Sequence, residues 1–151
     1  MADFTILATN HTSFTVSDMS RSLAFWRDVM GFTVTEPRPV SRSFTCGATG
    51  IADTAAEIAF VTCPGHHIEL LAYSGTGAGR KIQARPSDIG FAHIAFDVQG
   101  IDGVVERLLK AGWYMHGRIQ AIQSGPLGGG RLVYMSDQDG VTIEFIEPHH
   151  A

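Results

Sequence analysis

His11-Thr-Ser-Phe14-Thr-Val16 and His93-Ile-Ala-Phe96-Asp-Val98 are one pattern written twice in a single chain, 82 residues apart (93 − 11). In each, a histidine opens a stretch whose apolar residues alternate, the period of a half-buried strand. Each copy then enters a helical pattern. The first, Asp18 to Met30, carries apolar residues at Met19, Leu23, Trp26 and Met30, the stripe of a helix that covers a core; Ser17 or Asp18 can cap it, and Gly31 ends it. The second repeats the stripe at Ile101, Val104, Val105 and Leu108, with Lys110 in the last turn and Gly112 at the close.

Further along, residues 57–63 and 66–73 flank Pro64-Gly65 as a hairpin, and 131–136 and 141–146 do the same around Asp137-Gln-Asp-Gly140. The closing strands match too: Ile68-Glu69-Leu70-Leu71 corresponds to Ile143-Glu144-Phe145-Ile146. Residues 31–35 and 113–115 supply the remaining strand of each copy. The expectation is an α+β protein of two tandem βαβββ modules, 8–73 and 91–147, within one structural domain. Residues 74–90, rich in Gly, Arg, Pro and Ser, form the linker, while 36–56 and 117–130 are long loop segments.

The composition is that of a folded globular chain: 151 residues, 44% hydrophobic and 17% charged, with 11 Lys and Arg against 15 Asp and Glu. A chain of this size removes roughly 68–70% of its unfolded surface from water, so a metal is not needed to hold the fold and would serve chemistry. A formal net charge of −4 leaves no broad basic field, and neither a nucleic-acid nor a membrane partner is expected. Cys46 and Cys63 lack the spacing of a zinc or redox motif and read as free thiols. No basic n-region opens the chain and no apolar run reaches the roughly 20 residues of a membrane span, so a cytoplasmic location is expected.

Strand alternation puts Thr12, Phe14 and Val16 on the helix-covered face, leaving His11 on the other. The same reading leaves His93, Glu69 and Glu144 on that other face. A single histidine at a strand end is ordinarily just a hydrogen-bonded residue. A glutamate inside an apolar strand is stranger, because burying an unpaired carboxylate costs several kcal/mol. Two His and two Glu at matched places in both copies point to one divalent-metal site, and this donor set suits Zn, Ni, Co, Mn or Fe.

With these residues in view, the chain resembles the vicinal oxygen chelate superfamily, the glyoxalase, bleomycin-resistance and extradiol dioxygenase group. The likeness spans about residues 8–147 and rests on His11 to Met19, Phe25-Trp26 ahead of Met30-Gly31-Phe32, Ile68-Glu69-Leu70, Gly90-Phe-Ala-His93-Ile-Ala-Phe96, and Tyr134 to Glu144. It implies a cupped mixed sheet with helices on its outer face, a metal within the cup, and a homodimer. The ligand pattern His11, Glu69, His93 and Glu144 is similar to glyoxalase I, but Thr15 and Tyr73 stand where that enzyme has the Arg and Asn that hold glutathione. Glu69-Leu70-Leu71 and Ala92 to Phe96 are similar to methylmalonyl-CoA epimerase.

The expected activity is that of a lyase, isomerase or epimerase acting on a small molecule with adjacent oxygens. Glu144 is the first choice for the proton-transferring carboxylate and Glu69 the second; His67, on the Glu69 face by alternation, and Tyr134 are further catalytic candidates. A ring-cleaving dioxygenase is the alternative, resembling this chain at Tyr134, although His116 lies 18 residues before that tyrosine, further than in those enzymes. A metal-free drug-binding protein is a third reading. Arg38, Arg42, Arg80, Lys81 and Arg85 are candidate holders of a substrate anion, while His149 and His150 read as tail.

Overall fold

A computed structural model describes residues 4–149, so His150 lies outside the described residues. The chain divides into one compact unit ending at Ala78 and another beginning at Gly79.

The first unit runs β1 (Thr12–Thr15), α1 (Met19–Ala24), a π-helical turn (Phe25–Val29), β2 (Thr33–Val34), β3 (Arg38–Val40), α2 (Arg42–Thr49), β4 (Thr54–Cys63) and β5 (His66–Gly75). Its sheet has the order β1-β5-β4-β2, with β3 also on β4; β1 runs parallel to β5 and the other pairs are antiparallel. The second unit runs β6 (Ile94–Asp97), α3 (Ile101–Lys110), β7 (Tyr114–Met115), β8 (Gln120–Ala121), β9 (Arg131–Ser136) and β10 (Thr142–Glu147). Its order, β6-β10-β9-β7 with β8 on β9 and β6 parallel to β10, is the same topology again. The α+β class and the tandem βαβββ modules are therefore as expected, each module carrying its own five-stranded mixed sheet.

The apolar stripes read from the sequence are the buried faces. Met19, Leu23 and Trp26 are buried with Ile68, Leu70 and Val61 in the first unit. Ile101, Val105 and Leu108 are buried with Ile143, Phe145 and Val133 in the second. Each large side chain sealed this way contributes roughly 1.5–3 kcal/mol. Asp18 is the residue that caps α1, its carboxylate accepting from the Arg21 amide at 2.9 Å. The helix then differs from the simple stripe. Met30 N–H donates to the Phe25 carbonyl, five residues back, and the wider turn buries Phe25 beside Trp26 while leaving Met30 only half-buried.

Three elements lie in segments expected to be loops. β3 and β8 are short edge strands, and an edge tolerates Pro39, which has no N–H to donate. Helix α2 had start and stop signals in Ser41, whose hydroxyl accepts from the Phe44 amide, and Gly50, which ends it at φ 72°. It lacks an apolar stripe, which is why periodicity passes over it.

Helix α3 has no capping side chain of its own, since Gly100 stands at its N-cap. Glu147, the last residue of β10, takes that role: its Oε1 accepts from the Gly100 and Ile101 amides at 2.6 and 3.1 Å. Its Oε2 accepts from Arg131 at 2.6 and 2.8 Å, and Arg131 also reaches Asp102 on the helix at 2.9 Å. Hydrogen bonds from Arg131, and then from the two amides, hold the Glu147 carboxyl below the usual carboxylate range. A depressed carboxyl contributes stability that is complete above its unfolded value, about 4.3, and lost as pH falls through the lower folded value. Glu147→Ala is thus expected to lower the melting temperature at neutral pH, with wild type and variant converging as the buffer is taken below about pH 4. Equal melting at pH 7 would show that α3 does not depend on this cap.

Candidate functional site

Each unit brings one histidine and one glutamate together, and it does so by the same register. In the first, Thr12 stands opposite Ile68 and Ser13 opposite Glu69; in the second, Ile94 stands opposite Ile143 and Ala95 opposite Glu144. The histidine just ahead of each parallel strand therefore lies diagonally across from a glutamate on the central strand. His11 Nε2 is 3.4 Å from Glu69 Oε2, and His93 Nε2 is 3.1 Å from Glu144 Oε2. The imidazoles are about one-third exposed (32% and 33%) while the carboxylates are nearly buried (14% and 11%), so each pair opens to solvent on its histidine side.

These separations suit a shared ion. Two ligands each about 2.1 Å from a metal stand roughly 3.0–3.4 Å apart across octahedral to tetrahedral angles. The first pair has a further feature of a metal ligand. His11 Nδ1 makes a short hydrogen bond of 2.7 Å to Asn10 Oδ1, an acceptor, so that nitrogen carries the proton. Nε2 is then a lone pair directed at a carboxylate, and two acceptors at 3.4 Å need a cation between them or a second proton on the ring. Phe60, opposite Glu69 on β4, meets the His11 ring edge-on at 6.2 Å and walls that side.

In the second pair, Glu144 lies on β10 between Ala95 on β6 and Tyr134 on β9. Tyr134 lies edge-on to the His93 ring at 5.1 Å. Burial pushes its phenol up, and the charge of Glu144 and a hydrogen bond to it push in the same direction, so the hydroxyl keeps its proton and donates to the carboxylate. Glu144 is consequently held by two groups, the His93 ring and the Tyr134 hydroxyl.

The remaining candidates fall into place around these. His67 shares the Glu69 face but is exposed and lies 3.4 Å from Thr62 across the hairpin. His66, on the opposite face, braces β1 through Thr12 at 2.9 Å. Arg42 is paired with Asp53 and Arg85 with Asp88, so neither stands as an uncommitted anion holder. Among the described residues no group of three or more His, Cys, Asp or Glu is gathered into a ready metal cage. Sequence reasoning passed over Asn10 and the hydroxyls of Ser136 and Thr142; alternation alone would have placed Thr142 on the face of Glu144.

The sequence profile of the glyoxalase/bleomycin resistance protein/dioxygenase superfamily matches residues 8–145. The chain belongs to this superfamily. Among its relatives, a 2-epi-5-epi-valiolone epimerase from an Actinomyces species is 28% identical over 93% of this chain and 79% of its own length. Lactoylglutathione lyase of Haemophilus influenzae is 30% identical over 91% of this chain and 90% of its own. A glyoxalase family protein from Bacillus cereus superposes with a TM-score of 0.82 at 25% identity, covering 99% of both chains. The fosfomycin resistance protein FosX of Listeria monocytogenes, solved with Mn(II) and sulfate, shares the fold with a TM-score of 0.64 at 20% identity, over 96% of this chain and 95% of its own. A manganese ion thus occurs in a protein that shares this fold, and epimerase and lyase both occur among the relatives of this chain.

The Asn10 contact makes a testable statement about the first pair. In metal-free protein the neutral His11 ring is expected as the Nδ1–H tautomer in long-range ¹H–¹⁵N correlation spectra, and Asn10→Ala should mix the two tautomers. A dominant Nε2–H signal in the wild type would contradict this geometry.

Proposed function

We propose that this superfamily member is a divalent-metal-dependent lyase, isomerase or epimerase in which His11, Glu69, His93 and Glu144 together hold one ion. The observation that carries the reading is the duplicated His–Glu pair at the same register position of both sheets. Bound there, a Zn, Ni, Co, Mn or Fe ion would supply Lewis-acid polarisation of a substrate carbonyl.

The rest of the chemistry belongs to side chains of this chain. Glu144 takes a proton from the carbon beside the carbonyl and returns it to a second carbon or to the opposite face. Its neighbours suit that task. The Tyr134 hydroxyl holds the carboxylate in one orientation with the His93 ring beside it, and its near-burial raises the strength of every contact it makes. Glu69, paired with His11 alone, is the second choice for this role, and the exposed His67 lies further out on the same face.

An epimerase and a lyase among the relatives support the class of reaction. Thr15 and Tyr73, in place of glutathione-holding residues, favour a small substrate with adjacent oxygens that carries no glutathione. Each sheet has edge strands that pair readily with a neighbour, which supports a homodimer. The ring-cleaving dioxygenase reading has one observation in its favour, the Tyr134 hydroxyl against Glu144. A fourth protein ligand weighs against it, because oxygen and substrate both need open positions. The same ligand set weighs against a metal-free drug-binding protein.

Elemental analysis of untagged protein is expected to give close to one divalent ion per chain. Profiling the Ni, Co, Zn, Mn and Fe forms against 2-oxoaldehyde hemithioacetals, acyl-CoA epimers and catechols then identifies an assay. In that assay Glu144→Gln should lower kcat by roughly 10²–10⁴, the usual contribution of a general base, with only a modest loss of metal. Glu69→Gln should cost less. Near-normal turnover by Glu144→Gln with none by Glu69→Gln reverses the two roles, and oxygen uptake with a catechol would establish the dioxygenase instead.

A further inference from the structure

One polar chain on the Glu144 face of the second sheet plays no part in the chemistry above. Thr142 Oγ1 lies 3.2 Å from the Gly140 carbonyl, Ser136 Oγ lies 2.6 Å from Thr142 Oγ1, and His116 Nε2 lies 2.7 Å from Ser136 Oγ. A carbonyl only accepts, so the Thr142 proton goes to Gly140. Ser136 must then donate its own proton to Thr142, and His116 Nε2–H must donate to Ser136. Ser136 and Thr142 are 0% and 1% exposed, so no water can reverse this direction. In the neutral ring of the exposed His116, the relay leaves Nδ1 as the acceptor.

Register places that acceptor near the pair described above. Thr142 faces Ser136 and Glu144 faces Tyr134 on the same two strands, so the two rows share a face and lie about 7 Å apart, two residues along a strand. The His116 amide donates to the Tyr134 carbonyl at 3.0 Å, which brings the residue beside that tyrosine although it lies 18 residues earlier; residues 117–130, which include β8, run out and return as β9. Phe91 spans the two rows, its ring 5.9 Å from that of His93 and 6.5 Å from that of His116.

We propose that His116 Nδ1, the acceptor that the Ser136–Thr142 relay leaves on the neutral ring, is a subsite that accepts a hydrogen bond from a substrate hydroxyl. The substrate is then a carbonyl compound with a hydroxyl beyond the two adjacent oxygens. This rests on the proposed function for its position next to His93 and Glu144, while the relay itself stands on its own distances. His116 is a specificity residue here and takes no part in proton transfer.

The test compares scyllo-inosose, a polyhydroxylated cyclohexanone, with 2-hydroxycyclohexanone, which has only the adjacent oxygens. Binding to the Zn-loaded protein is followed by NMR titration, and solvent-deuterium exchange beside the carbonyl is followed in the same samples. Wild type is expected to bind the inosose about tenfold more tightly, the worth of one good hydrogen bond, with a shift of the His116 Nδ1 resonance. His116→Gln, which keeps a donor toward Ser136 and loses the Nδ1 acceptor, should bring the ratio to about one, and His116→Asn, with an oxygen near the Nδ1 position, should restore part of it. The inference is overturned by an Nδ1–H tautomer for His116, by failure of the inosose to bind, or by a His116→Gln protein of unchanged melting temperature that keeps the wild-type ratio. Discrimination through His116 without deuterium exchange supports the subsite while sinking the proton-transfer reading. Exchange of both ketones with no preference in either protein does the reverse.

Discussion

A carboxylate in the middle of an apolar central strand cannot stand alone, because leaving it buried without a partner costs several kcal/mol. Both sheets of this protein are built around such a residue. Glu69 lies between Ile68 and Leu70, and Glu144 between Ile143 and Phe145, neighbours that are fully buried against the helix-covered side. The parallel strand beside each central strand is preceded by a histidine whose ring reaches the carboxylate. Strand pairing and the partnering of the carboxylate are thereby the same constraint. Shifting either parallel strand by one residue would carry the histidine to the opposite face and strand the charge.

The two modules answer this constraint with different surroundings. The first adds α2, which is tied down where Asp53 meets Arg42 on the helix and Thr76 beyond β5. That closure is tight: Gly75, at φ 103°, lies against the backbone of Asp53, and a side chain there would collide with it. The second module has no such helix among the described residues, but it sets the Tyr134 hydroxyl against its carboxylate and a row of hydroxyls, Ser136 and Thr142, further along the same face. The first pair is therefore walled by Phe60 and oriented by Asn10, whereas the second lies in a polar field with directed protons. Duplicated modules have become unequal halves. A carboxylate that accepts from Tyr134 on a face that also carries a row of hydroxyls is better suited to exchanging a proton with a bound molecule than one beside a single histidine.

What could be read from the chain alone follows from local periodicity. Alternation around His11, Glu69, His93 and Glu144 assigns each to a face without knowledge of what lies opposite, and apolar stripes at 19, 23 and 26 and at 101, 105 and 108 mark the faces that are buried. Repetition at 82 residues doubled the weight of each reading, because the two copies constrain one another. Periodicity is blind where a segment has none. Helix α2 is held by a cap and by side chain to backbone bonds rather than by an apolar stripe, and β3 and β8 are too short to show alternation.

The tertiary structure decided everything that depends on residues distant in sequence. That His11 meets Glu69 and His93 meets Glu144 at ligand-like separations is a consequence of parallel register, which composition does not encode. That Glu147 caps a helix beginning 46 residues earlier requires β10 to end beside the start of α3. The direction of the protons from His116 to Thr142 is decided by a carbonyl at Gly140 that only the turn between β9 and β10 brings within reach. Which face a residue occupies is a local property of the strand and is written in the sequence; which residue meets it there is a property of strand pairing, and only the folded sheet supplies it.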